Sequence, residues 1–450
     1  MTAETNVRGF DPLKNASAAA RPRKPGFARE GDAPPAEVTI AFEDNRHASS
    51  LFGSHDHPSS RGSSGDRATP RGENFYWQEA RMTISSTPIK ADASAWSSMS
   101  LSARLSNIGN FIADTPTLLD SVSFIQECIE SHGCSPEGEI SFLLGETRAG
   151  KTTAVETAMR DFAEKVQGEF ISQRFRSDRH AAALMSVDKM TRDGIERPVF
   201  AIEVPKAPTF KGLLADVLAA LGVAIKGKIT FGEQQSLLCA QLVGQRTKLL
   251  IFDDAQHVCE SGKNHEVYAA ADVFKLIAKV SGVQILCVGL PHTLDVKTAN
   301  PQVKWIGGVE RTIEPLAIDA NPASDLAILC ATLNKELPFE KVSHLSEPEV
   351  FVPLAIHCGG YEGRIATIVR LAARHAIRSN RHCLDRNCLT DFLREMRGVP
   401  DALNPFLLSA EDLTDLPNRL KDAKRAEVAA IAARLGKASR RGEAFSGILR

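Results

Sequence analysis

Nine consecutive residues carry the clearest chemistry in the chain: Gly145, Glu146, Thr147, Arg148, Ala149, Gly150, Lys151, Thr152 and Thr153. They form the pattern G-x-x-x-x-G-K-[ST]. The apolar run EISFLL (139–144) precedes them and a helical pattern (151–166) follows. In that setting the glycines let successive backbone N–H groups turn toward phosphate oxygens, and the helix adds its positive N-terminal end. Lys151 is placed to reach the β and γ phosphates of a nucleoside triphosphate. The Thr152 hydroxyl is placed to ligate magnesium.

A second site lies in KLLIFDDAQH (248–257), where four apolar residues end in Asp253-Asp254. In a parallel sheet the C-terminal edge of a strand faces the ligand crevice. Asp253 is therefore the expected magnesium carboxylate. Asp254 is the group expected to orient or deprotonate a water that attacks the γ phosphate. Both ideas need elements that hold 145–153 and 253–254 at one edge. The sequence supplies short apolar runs at 139–144, 199–204, 248–253, 283–289 and 311–316. Helical patterns at 115–133, 151–166, 209–221, 232–245 and 266–280 separate them. Thr115 is the expected N-cap of the first helix, with Pro116 at its first position. Strands that are apolar throughout and alternate with helices predict a parallel sheet of five strands, covered on both faces. Residues 320–398 read as all helix, and 406–450 as a charged helical tail.

Composition excludes several classes. The 450 residues include 54 Lys+Arg and 55 Asp+Glu, for a formal charge of -1. No apolar run approaches the roughly 18–20 residues of a membrane span. The N-terminus has no apolar stretch behind its charges, so no secretory leader is expected. The odd set of nine cysteines (128, 134, 239, 259, 287, 330, 358, 383, 388) has no CxxC spacing. It reads as free thiols in a reducing cytoplasm. Residues 1–80, with ARPRKPG, GDAPPAE and HPSSRGSSGDRATPRGEN, bury too little apolar area to order and are expected to be disordered. VTIAFE (38–43) could be a short strand or a docking segment.

Basic stretches offer candidate phosphate contacts. Arg370, Arg374 and Arg378 recur at four-residue spacing opposite Ile365, Val369, Ala372 and Ala376. Residues 417–450 hold nine Lys/Arg and three acids, net +6. SQRFRSDRH (172–180) is also basic. Each could neutralise nucleic-acid phosphates or be a solvated face. Arg364 stands near a helix start, a poor electrostatic place for a cation unless it serves a ligand.

LLIFDDAQH resembles the Walker B segment of TniB/TnsC-type transposition ATPases, a branch of the AAA+ superfamily. The resemblance spans residues 105–405. It takes in Thr115-Pro116, PVFAIEVPKAPTFKGLLADVLAALG (198–222), DVFKLIAKVSGVQILCVGLPHTL (272–294), GGYEGRIATIVRLAARHAI (359–377) and Asn404-Pro405-Phe406. It implies an ATP- and magnesium-dependent oligomer, a ring or filament on double-stranded DNA, that helps a partner transposase. It implies that Arg364 folds over the γ phosphate. It also implies an arginine finger reaching a neighbouring subunit, with Arg311 the first choice and Lys304 the second. His257 would relay between nucleotide and neighbour, or simply satisfy local backbone groups. Three departures stand out. Asp254 replaces the usual Glu, so slow hydrolysis is expected. Leu290 stands where a polar sensor belongs, with His292 or Thr293 as substitutes. The N-terminal extension is longer than the family core requires.

The resulting expectation is a cytoplasmic α/β P-loop protein of AAA+ type with no membrane partner. It has a disordered extension (1–80), a nucleotide-binding core with a parallel five-stranded sheet (81–318), a helical lid (319–400) and a charged helical tail (401–450). Its expected function is an ATP-hydrolysing helper of DNA transposition. The alternatives are an AAA+ ATPase outside transposition, secretion-associated or initiator-like, and a nucleotide-gated DNA-binding scaffold with little turnover.

Overall fold

The computed structural model describes residues 96–446, apart from 97, 109–111, 177–180, 207, 224, 226, 261–263, 301–302, 304–305 and 307. The expectations for residues 1–80, the segment 38–43 included, and for Lys304 lie outside the described residues.

A short helix, α1 (Leu101–Asn107), precedes α2 (Pro116–Glu130). Thr115 caps α2 by accepting the Leu118 N–H, and Pro116 occupies the first turn, where its missing N–H costs nothing. Then follow β1 (Ile140–Gly145), α3 (Lys151–Val166), β2 (Glu169–Arg176), β3 (Ala181–Thr191) and β4 (Gly194–Glu203). The core continues through α4 (Phe210–Ala220), α5 (Phe231–Gly244), β5 (Leu249–Asp253), α6 (Asn264–Ser281), β6 (Gln284–Gly289), α7 (Asp295–Ala299) and β7 (Glu310–Ile313). Thr209 and Thr230 cap α4 and α5, the latter with a full capping box through Glu233.

The sheet has seven strands in the order β2-β3-β4-β5-β6-β1-β7. The five anticipated strands are the parallel part, β4, β5, β6, β1 and β7. The expectation of a five-stranded parallel sheet is corrected by the antiparallel β2 and β3, which make the sheet mixed. The reason is physical. EFISQRFR and the polar end of AAALMSVDKMT lack the continuous apolar run of a strand covered on both faces, because they extend the sheet at its edge. The basic segment 172–180 is thus the outer part of this hairpin, with 177–180 outside the described residues.

In the central strands successive residues serve opposite cores. Phe142, Leu144, Leu250 and Phe252 join the layer under α4, α5 and α6. Leu143, Leu249 and Ile251 join the layer under α2 and α3. This period of two lets a run such as LLIFD be apolar throughout. Beyond β7 come α8 (Asp325–Glu336), α9 (Pro348–Cys358), α10 (Glu362–Arg378) and α11 (Arg386–Arg397), with a core of their own. Leu105 of α1 and Ile108 just after it pack into that helical core. The last helix, α12 (Ala410–Ser446), buries Leu416 and exposes Val428 and Ile431. All nine cysteines are free, six of them buried. Among the described residues no helix is long and apolar enough to cross a membrane.

Candidate nucleotide site

The loop between β1 and α3 is held in shape by two unusual backbone positions. Arg148 has φ 61° and Gly150 has φ 108°. Such left-handed residues turn neighbouring N–H groups into one concavity. Lys151 opens α3 and is 8% exposed. Its Nζ donates to the Gly145 carbonyl at 2.7 Å and the Glu146 carbonyl at 2.9 Å. Burial pushes its ammonium pKa down, against the attraction of Asp253, Asp254 and Glu146, and Arg364 pushes the same way as burial.

Next door, the Thr152 Oγ1 donates to Asp253 Oδ2 at 2.8 Å. The Asp254 N–H donates to the other oxygen, Asp253 Oδ1, at 2.9 Å. Asp253 ends β5 and is 7% exposed. Burial raises its carboxyl pKa from 3.8 to about 6, the Thr152 hydroxyl opposes that rise, and the charge of Asp254 adds to it. A hydroxyl and a carboxylate side by side, with the carboxylate short of countercharge, are a donor set that fits a hard divalent ion such as magnesium. Thr152 and Asp253 would hold it, and when bound it supplies neutralisation of phosphate charge.

The helical region closes the other side. Gly363, in the first turn of α10, lies against the phosphate loop itself. A Cβ there would sit 2.4 Å from the Arg148 carbonyl oxygen, so only glycine permits this approach. Arg364 Nε donates to the Thr147 carbonyl at 3.0 Å, and its Nη2 pairs with Glu146 Oε2 at 3.4 Å. Its guanidinium also stacks 4.3 Å from the Tyr361 ring centroid. Arg148 Nη1 donates to Thr367 Oγ1 at 3.0 Å. Thr115 donates to Glu362 Oε2 at 2.7 Å, tying the α2 cap to the start of α10.

Between these surfaces is a cleft of about 410 Å³, the size of a small-molecule site. Residues 147–153, Asp254 and Gln256 form its polar wall. Ile112, Ala113, Leu118, Leu329, Leu333 and Ala366 form an apolar wall suited to a planar base. Residues 147–153 and Asp254 line the cleft, and Gly145, Glu146, Asp253 and Arg364 join them through the hydrogen bonds above without lining it. Arg311 does not line this cleft. It sits on the edge strand β7, where its Nη1 is 3.5 Å from Asp120 Oδ2 and its guanidinium is 5.9 Å from the Phe124 ring. His257 Nδ1 is 2.6 Å from Glu260 Oε2, and His292 Nε2 is 3.7 Å from the other oxygen of the same carboxylate.

Some contributors were not legible. Arg370 shares its period with Arg374 and Arg378, yet Arg370 lines the cleft, partly buried, while Arg378 is exposed. Burial, then the neighbouring Arg374, pushes the Arg370 pKa down. Leu329 and Leu333 read as ordinary helix-core residues, and nothing in their spacing marks them as a ligand wall. Gln256 is 7% exposed and bonded to Asp254. A glutamine has no chemistry of its own to signal such a role.

The family described as Bacterial TniB protein matches residues 135–305. No curated protein matches the chain. Similar solved structures include the ORC2 protein of Aeropyrum pernix, at 14% identity over 66% of this chain and 75% of that one, TM-score 0.41. The Cdc6p protein of Pyrobaculum aerophilum is similar at 13% identity over 74% and 84%, TM-score 0.45. A Walker-type ATPase of Pyrococcus abyssi is similar at 12% identity over 73% and 81%, TM-score 0.39. The family match encloses both the phosphate loop at 145–153 and the acidic pair at 253–254. The match to the TniB family thus covers residues 135–305, and the site that it encloses is that of a P-loop ATPase.

Proposed function

We propose that this ATPase is a helper of DNA transposition, binding ATP with magnesium in the cleft and assembling on double-stranded DNA to recruit or activate a transposase. The observation that carries the nucleotide part is the meeting of Lys151, Thr152 and Asp253 under a lid helix whose Arg364 touches the phosphate loop. In this reading the extension (1–80), core (81–318), lid (319–400) and tail (401–450) act as separate units of one cytoplasmic protein. The bond cleaved is the β–γ phosphoanhydride. Lys151 neutralises charge on the transferred phosphoryl group, Asp254 orients the water, and Arg364 swings from Thr147 and Glu146 to the γ phosphate. Arg311 leaves Asp120 to reach the nucleotide of a neighbouring subunit.

The DNA part draws its support from charge. Residues 417–450 carry net +6, and α12 exposes its described residues from Lys424 to Ala433. Repeated along a ring or filament, weak phosphate contacts add through multivalency. The test is the sedimentation of purified protein with and without duplex DNA, each with and without a non-hydrolysable ATP analogue. A larger species that needs both is expected. Equal sedimentation in all four mixtures overturns the proposal. Removing 417–450 should make the salt dependence of DNA binding shallower, because fewer counterions are released. An unchanged slope assigns the tail to protein partners.

A second reading, a scaffold that binds ATP and turns it over slowly, is favoured by Asp254. Its carboxylate is one methylene shorter than a glutamate, and misplacement by about 1 Å can cost ~10²-fold in rate. Asp254→Glu is therefore expected to raise single-turnover hydrolysis by roughly 10- to 100-fold. An already fast wild type that glutamate leaves unchanged removes the scaffold reading.

A further inference from the structure

The acidic pair is followed by a turn that folds a glutamine back onto it. Asp254 adopts φ 54° and ψ 34°, a left-handed conformation that few non-glycine residues take, Asp and Asn being the usual exceptions. The chain then makes a single 3-10 turn, Ala255–Val258. This turn brings Gln256 Nε2 to 3.0 Å from Asp254 Oδ1. The other end of the same amide, Oε1, accepts the Leu290 N–H at 3.3 Å. With a carboxylate on one side and a backbone donor on the other, only one orientation of the amide satisfies both.

The surroundings are built around that side chain. A Cβ on Gly289 would lie 2.7 Å from Gln256 Oε1 and 2.3 Å from Thr293 Oγ1, so the end of β6 is glycine where Gln256 passes. Leu290 occupies the place where a polar side chain would be expected to face the nucleotide. Its backbone N–H, relayed by Gln256, makes the link to the acidic pair instead. Gln256 and Leu290 both line the cleft.

We infer that Gln256 is a positioning residue: its amide pins one oxygen of Asp254, leaves the other for the attacking water, and couples that carboxylate to the loop after β6. The inference rests on the reading of Asp254 as the group that orients water. A short aspartate in a strained turn has two rotatable bonds, and one hydrogen bond to a buried, doubly held amide fixes its direction.

The test is a set of single-turnover ATP hydrolysis rates with analogue affinities measured in parallel. Gln256→Ala is expected to lower the rate about 10- to 100-fold while affinity stays within about threefold. Gln256→Glu is nearly isosteric and still accepts the Leu290 N–H, but it sets a carboxylate against Asp254, so it should lose activity as the alanine variant does. Wild-type turnover in Gln256→Glu overturns the inference, since the donor would then be dispensable. In an Asp254→Ala background, Gln256→Ala should cost nothing further. A full additional loss there means that Gln256 does not act through Asp254. If Asp254→Ala itself retains wild-type turnover, the underlying reading of Asp254 fails. If that variant is inactive and both glutamine variants are active, the inference about Gln256 alone is wrong.

Discussion

Lys151→Ala is expected to lower ATP turnover by about 10²- to 10³-fold and to abolish any stabilisation of the fold by ATP. The ammonium is buried among the carbonyls of its own loop and its pKa is lowered there. It is thus a charge kept in place at a desolvation cost, with its bonds to Gly145 and Glu146 standing in for phosphate oxygens. Removing it relieves that cost but takes away a cation that attracts Asp253, Asp254 and Glu146. The two effects oppose each other, so the nucleotide-free variant should melt within a few degrees of wild type. Wild type at an ATP concentration 100 times Kd gains about 2.7 kcal/mol, and the variant should gain nothing. Thermal melts with and without ATP and magnesium check both halves. An ATP-induced rise in the variant equal to that of wild type would remove Lys151 from the binding site. The same variant should no longer assemble on duplex DNA in response to nucleotide, and assembly at wild-type level would show that gating does not pass through this loop.

The parts of the site that could be read from sequence are those where local chain geometry and chemistry coincide. Gly145 to Thr153 combines backbone freedom, a cation and a hydroxyl within nine residues, between a strand and a helix that periodicity reveals. LLIFDD carries its strand and its acids together. What could not be read depends on contacts between distant segments. The apolar wall joins Ile112 and Ala113 to Leu329 and Leu333, over 200 residues apart, and each pair looks like ordinary packing. Gly363 has its close approach to Arg148 from tertiary packing alone. The left-handed turn at Asp254 selects Gln256 over any other neighbour, and no residue type announces that turn. The β2–β3 hairpin was obscured for a different reason: an edge extension needs no continuous apolar run. Arg370 shows the limit of helical spacing, because residues four apart share a face while the segments that pack on that face end partway along it.

Asp253→Asn should separate stability from function in the strongest way the site allows. The carboxyl pKa of Asp253 is raised from 3.8 to about 6 in the fold. The folded state is therefore the better proton binder between those values. As pH rises through that window ionisation costs stability, and the full cost stands above about pH 6. A shift of this size corresponds to about 3 kcal/mol. Asparagine removes the ionisation while keeping a carbonyl for the Asp254 N–H and an amide that can donate to Thr152 Oγ1. The nucleotide-free variant should accordingly melt higher than wild type at pH 8, and its advantage should shrink as pH falls from 6 toward 4. Magnesium-dependent ATP hydrolysis should fall by about 10²- to 10³-fold, because the anionic oxygen beside Thr152 is gone. Melting curves across pH and turnover against magnesium concentration measure the two effects separately. A variant less stable than wild type at pH 8, with its magnesium dependence intact, would mean that the Asp253 charge is offset within the fold and serves no metal. The expected opposite result would make this carboxylate a charge held at a cost to the nucleotide-free protein, which the magnesium–nucleotide complex relieves. That differential supplies a physical link between nucleotide occupancy and the stability of the core beneath the lid.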